Sequence, residues 1–128
     1  MVDAETRIKL DDLREFAAVD IDEEDPRYRQ PLGESVRRLA KNITSNCDVV
    51  LLGSIATGKY VDVLLENFRE HLRFPADFVG RGDMSRGGLL LRCAVDRKEL
   101  RYIAVQGAIR SGKRPPKLTP RRYPKVCP

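Results

Sequence analysis

The chain has 128 residues, enough for one domain of ordinary size with a real but modest core. Its 41% apolar and 34% charged residues fit a soluble globular protein, and no run approaches the roughly 18 to 20 apolar residues that span a bilayer. The net charge of +5 conceals two poles: residues 1–25 carry ten acids and three bases, and residues 110–128 carry seven bases and no acid.

The opening MVDAETRIKLDD has neither a basic n-region nor an apolar stretch, so no secretory signal is expected and the chain is assigned to the cytoplasm. Cys47, Cys93 and Cys127 are widely spaced, form no CxxC pair and accompany a single histidine, so reduced thiols and no metal site are expected. Cys47 and Cys93 adjoin apolar runs and are read as core residues.

A first short helix is expected over residues 5–17, with Ile8, Leu10, Leu13 and Phe16 imperfectly spaced. DIDEEDPRYRQP (20–31) reads as a polar connection. LGESVRRLAKNITSN follows as a clearer helix, because Val36, Leu39, Ala40 and Ile43 recur at helical spacing. VVLL (49–52) suits a strand buried on both faces. GKYVDVLLENFREHL (58–72) is the strongest helical pattern, with Val61, Leu64, Leu65, Phe68 and Leu72 on one side. RFPADFVG is read as a second strand, closing a β-α-β unit. LLLRCAV and ELRYIAV, separated by DRK, are read as a C-terminal hairpin. The expected fold is therefore α/β: a small mixed sheet of about four strands, two or three helices and Rossmann-like layering. The expected organisation is an acidic segment (1–30), a core (31–109) and a basic, proline-rich tail (110–128) holding five of the eight prolines.

The stretch GSIATGK (53–59) lies between the first strand and the main helix, and resembles the phosphate loop G-x-x-x-x-G-K-[ST] of P-loop NTPases. Backbone N–H groups at a helix start favour anions. Gly53 and Gly58 allow close approach, Ser54 and Thr57 offer hydroxyls, and Lys59 adds charge. Tyr60 stands where the magnesium-holding hydroxyl belongs, and Asp96 falls on the hairpin rather than beside the first strand, so nucleotide hydrolysis is not expected. A plain strand-to-helix turn is the competing reading. Tyr60 is expected at the edge of the apolar stripe, near Leu64 and Phe68.

GRGDMSRGG (80–88) packs four glycines, two arginines, an aspartate and a serine into nine residues. As a ligand loop, Gly80 and Gly82 would expose N–H groups, Arg81 and Arg86 would pair with phosphate or carboxylate, and Ser85 would add a hydroxyl. Asp83 would bind ribose hydroxyls or act as a base, the one catalytic candidate. A mobile connection capped by Asp83 is the alternative. Ligands of open α/β sheets sit at the carboxyl ends of strands, so the two loops are expected side by side.

LLGSIATGKYV, FPADFVGRGDMSRGGLLLR and RPPKL together resemble an uncharacterised family of bacterial hypothetical proteins, over roughly residues 30–118. The resemblance implies no activity and treats the two loops as one unit. His71, Glu66 and Glu70 are read as surface residues of the main helix. The favoured reading is binding of a nucleotide-like or phosphorylated ligand at the loops, with catalysis left open and the cofactor unspecified. Two rivals stand beside it. One is nucleic-acid binding through residues 110–128. The other is a protein-interaction module whose charge poles pair, in one chain or in a homo-oligomer. No membrane contact is expected.

Overall fold

A computed structural model of the protein describes residues 5–122; Tyr123, Lys125 and Cys127, part of the tail assignment, lie outside the described residues. Four α-helices surround a mixed sheet of three strands, so the fold is broadly α/β with one strand fewer than expected.

Helix α1 (Leu10–Ala17) is shorter than expected; the Lys9 backbone N–H donates to Asp12 at its start, and none of its residues is buried. Helix α2 (Pro26–Asn42) begins six residues before the expected start. The Asp25 carboxylate accepts from the Arg27 backbone N–H at 2.9 Å, and Pro26 occupies the first helical position, where its missing N–H costs nothing. The connection therefore starts a helix that continues through Pro31. Val36 is buried, and Leu32, Leu39, Ala40 and Ile43 pack against the core, as the spacing predicts.

Strand β1 (Val49–Val50) pairs in parallel with β2 (Leu72–Pro75), Val49 opposite Leu72. Helix α3 (Gly58–Phe68) crosses between them, which gives the expected β-α-β unit. It stops four residues before Leu72, where Arg69 turns to a φ of 45°. Leu72 thus belongs to the sheet. Strand β3 (Tyr102–Ala104) pairs antiparallel with β2, Phe74 opposite Ile103, leaving β2 central. Leu72 and Phe74, two residues apart and so on one face of the central strand, are fully buried, while Arg73 on the other face is half-buried.

Two expectations fail after β2. ADFV is not a strand: Ala76–Phe78 form a single 3₁₀ turn. LLLRCAV is not a strand either, and there is no hairpin: Asp83–Asp96 form helix α4, which ends at Arg97 in the left-handed conformation, φ 51°. Most of the second glycine stretch is therefore helix, and only residues 79–82 form a loop. Leucine, arginine and alanine favour helix, and Val95 is the one β-branched residue in the run, so local propensity agrees with the result.

The core joins Val36, Ile55, Val61, Val63, Phe68, Leu72, Phe74, Phe78 and Val105. Cys93 is half-buried, whereas Cys47 is exposed, contrary to expectation. Its thiol contacts the Thr44 hydroxyl at 3.3 Å, and that hydrogen bond holds its pKa below the usual thiol value.

Past Gly107, residues 108–122 have no regular structure, as the prolines predict, but they pack on the domain. Gly112 lies under Val79, Lys113 crosses Gly80, and Leu118 reaches Gly88. The Arg92 guanidinium donates to the Thr119 carbonyl, and Arg121 pairs with Asp96 at 2.7 Å. This segment is a strap along α4.

Candidate functional site

The start of α3 is crowded by acids of this chain, although the Thr57 side chain makes no capping hydrogen bond and Glu23 Oε2 meets no partner among the described residues. The space beside Gly58 is taken by the Asp62 and Glu23 carboxylates, the Glu23 oxygen 2.8 Å from where a glycine-replacing Cβ would stand. Carboxylates at a helix start are favourable, and they oppose an anion arriving there. Ile55, 1% exposed, anchors residues 51–57 in the core. Tyr60 meets the edge of Tyr28 with ring centres 6.2 Å apart. The Tyr28 hydroxyl donates to the Lys59 carbonyl at 3.2 Å; burial, then the Tyr60 and Glu23 neighbours, push its pKa up to about 12.

The two glycine stretches nevertheless meet. Ile55 and Ala56 from the first, and Gly80, Arg81, Gly82 and Arg86 from the second, line one cavity of about 220 Å³ with Phe78, Arg110, Ser111 and Gly112. Its wall thus brings together three arginines and no carboxylate. A second cavity of about 350 Å³ lies across Arg81 and Gly82, lined also by Asp83, Met84, Ser85, Arg114, Pro115 and Lys117. Gly53, Ser54, Thr57, Gly58 and Lys59 line neither cavity.

Each arginine is held differently. Arg81 donates from Nε to the Asp77 carbonyl at 2.7 Å and from Nη1 to the Ser85 hydroxyl at 3.1 Å. Arg86 has a side chain only 10% exposed; its Nη1 donates to the Arg81 carbonyl and its Nη2 pairs with Asp83, whose own side chain is 90% exposed. Its guanidinium also lies 5.9 Å from the Phe78 ring centre. Arg110 differs: its Nη1 is buried and meets no hydrogen-bond partner among the described residues. A buried guanidinium N–H without an acceptor is costly, and an anion in the cavity would supply one.

Gly80 makes the arrangement possible. Its φ of 73° and the Lys113 carbonyl packed against its α-carbon leave no room for a side chain. The strap can therefore lie close to the loop, and Arg110 lines the same cavity as Arg86. Reading the tail as free chain hid Arg110, Ser111 and Gly112 from the candidate set. The signal was RSGK (110–113), a serine and a glycine between two bases, a few residues past the last strand.

His71 lies 3.7 Å from Asp48, which pairs with Arg73 at 2.6 Å. Glu66 pairs with Arg29 at 3.4 Å. No helix among the described residues is long and apolar enough to cross a membrane. No family model matches this chain, no curated protein matches it, and no solved structure matches it.

Proposed function

We propose that the protein binds a small phosphorylated or nucleotide-like anion in the arginine-lined cavity between residues 55–56, 78–82 and 110–112. The observation that carries this reading is the buried, unpartnered Nη1 of Arg110, in a wall with Arg81 and Arg86 and no carboxylate. Guanidinium forks match phosphate oxygens in geometry as well as charge. The cavity volume accommodates a phosphate group with part of its attached moiety, and the adjoining cavity takes the remainder. Asp83 orients Arg86. Its exposed carboxylate at the mouth is also the group available to a ribose hydroxyl.

The test is a melting-temperature series with inorganic phosphate, pyrophosphate and nucleoside phosphates. Stabilisation is expected for wild type and for Lys59→Ala, and its loss for Arg110→Gln. A charge-assisted hydrogen bond contributes about 1.5–3 kcal/mol, so Arg110→Gln should weaken binding roughly 10- to 100-fold. Stabilisation that disappears in Lys59→Ala and survives in Arg110→Gln would return the site to the start of α3.

A second reading, contact with nucleic acid, draws on the strap. Lys113, Arg114 and Lys117 are exposed along an extended backbone fixed to α4. Each phosphate contact adds close to one unit to the salt slope of binding, so replacing these bases should flatten that slope. An unchanged slope would remove this reading.

A further inference from the structure

The larger cavity, of about 350 Å³, shares Arg81 and Gly82 with the arginine cavity and is also lined by Arg114, Pro115 and Lys117 of the strap. Its charges are unevenly matched. Asp83, the one carboxylate on its wall, pairs with Arg86. Arg81 is held by the Asp77 carbonyl and the Ser85 hydroxyl. Arg114 and Lys117 are exposed and make no ion pair or hydrogen bond among the described residues. Two positive charges on this wall are therefore unanswered. The sequence also holds them in step. Pro115 and Pro116 fix φ at about −65°, and the residue before each proline is pushed towards extended backbone. Such a chain approaches the polyproline helix of about three residues per turn, in which positions 114 and 117 share a side. The stretch is pinned on either flank, by Lys113 against Gly80 and by Leu118 near Gly88.

We infer that the ligand is a bisphosphate: one phosphate lies among Arg81, Arg86 and Arg110, and the second, on another atom of a short carbon or sugar skeleton, lies between Arg114 and Lys117. The inference rests on the anion reading above and adds the second group. A phosphate monoester carries about −1.5 to −2 charge at pH 7, which the two unpaired bases match. Arginine offers it a fork and lysine a point charge. Met84 and Pro115 give the same wall apolar surface, suited to an uncharged skeleton between the phosphates. Arg110 and Arg114 are four residues apart, at most about 14 Å of backbone, so a short skeleton spans the two positions.

Calorimetric titration at fixed ionic strength tests this with linear alkane bisphosphates of increasing length, each compared with the alkyl monophosphate of the same length. At the best length the bisphosphate should bind about tenfold more tightly than its monophosphate, roughly threefold for each exposed base. Replacing both bases, Arg114→Gln with Lys117→Gln, should abolish that advantage and leave monophosphate binding and the melting temperature unchanged. Arg110→Gln should weaken both kinds of ligand. If no bisphosphate outbinds its monophosphate, or if the advantage survives in the double variant, the second phosphate position is overturned and the arginine cavity still stands. Monophosphate binding that is indifferent to Arg110→Gln overturns the arginine cavity itself, and the bisphosphate with it.

Discussion

Gly80 and Gly82 are two residues apart and have different duties. Gly80 sits at φ 73° with the strap backbone against it, whereas nothing lies within 4 Å of a Cβ added at Gly82. The left-handed conformation alone costs an ordinary residue about 1–2 kcal/mol, before any displacement of Lys113. Gly80→Ala should therefore lower the melting temperature by several degrees and loosen the strap, and Gly82→Ala should change it little. Equal effects in the two variants would mean that the strap does not cross at Gly80. Tyr28 gives a second test at this scale. Its pKa is raised to about 12 in the folded protein, above the usual value of about 10. A raised pKa means stability that is complete below the ordinary tyrosine range and is lost as pH climbs from there towards 12. Tyrosinate absorbance should show Tyr28 titrating late, with Tyr102 also raised, and Tyr60→Ala should bring Tyr28 part of the way back, because burial is the first cause and Tyr60 the next.

At the scale of elements, α4 is the instructive case. Leu89, Leu90 and Leu91 form an apolar run too short for periodicity to separate strand from helix. The glycine-rich stretch before it reads as a loop, yet Gly87 and Gly88 are inside the helix. A Cβ at Gly87 would meet nothing, so Gly87→Ala should stabilise α4 by about 1 kcal/mol. Chemical denaturation is the check, and a destabilised variant would place a neighbour against this face. The start of α2 was legible, since Asp25-Pro26 is a cap followed by a first-turn proline, within a stretch whose polarity reads as a connection. The stripes of α2 and α3 and the β-α-β order were readable, because burial imposes a simple period on each helix; the expected buried strand VVLL was not, since β1 is only Val49–Val50, both half-buried, and Leu52 is 50% exposed. The boundary between α3 and β2 was not, since Leu72 continues the helical stripe while belonging to the central strand.

At the scale of the molecule, chain order concealed the strap. Residues 110–122 look like a basic tail, and nothing local shows that they fold back over Gly80 and along α4. That depends on Gly112 against Val79, Leu118 near Gly88 and Arg121 on Asp96, contacts that span the C-terminal part of the chain. Convergence of the two glycine stretches followed from the parallel β1–β2 pair, and so was legible in outline. The lining was legible from the second stretch, in Gly80, Arg81, Gly82 and Arg86, and not from the first: Ser54, Thr57 and Lys59 were expected, and Ile55, Ala56 and Arg110 are found. Ending the chain after residue 109 should lower stability as well as remove Arg110, and a thermal melt of the shortened protein checks it. The account's central claim is that the anion site is the arginine cavity. A crystal grown with pyrophosphate tests it most directly. The predicted result is an anion among the guanidinium groups of Arg81, Arg86 and Arg110, with Arg110 Nη1 donating to it. An anion at the start of α3 beside Lys59, or a cavity without one at saturating pyrophosphate, would contradict it.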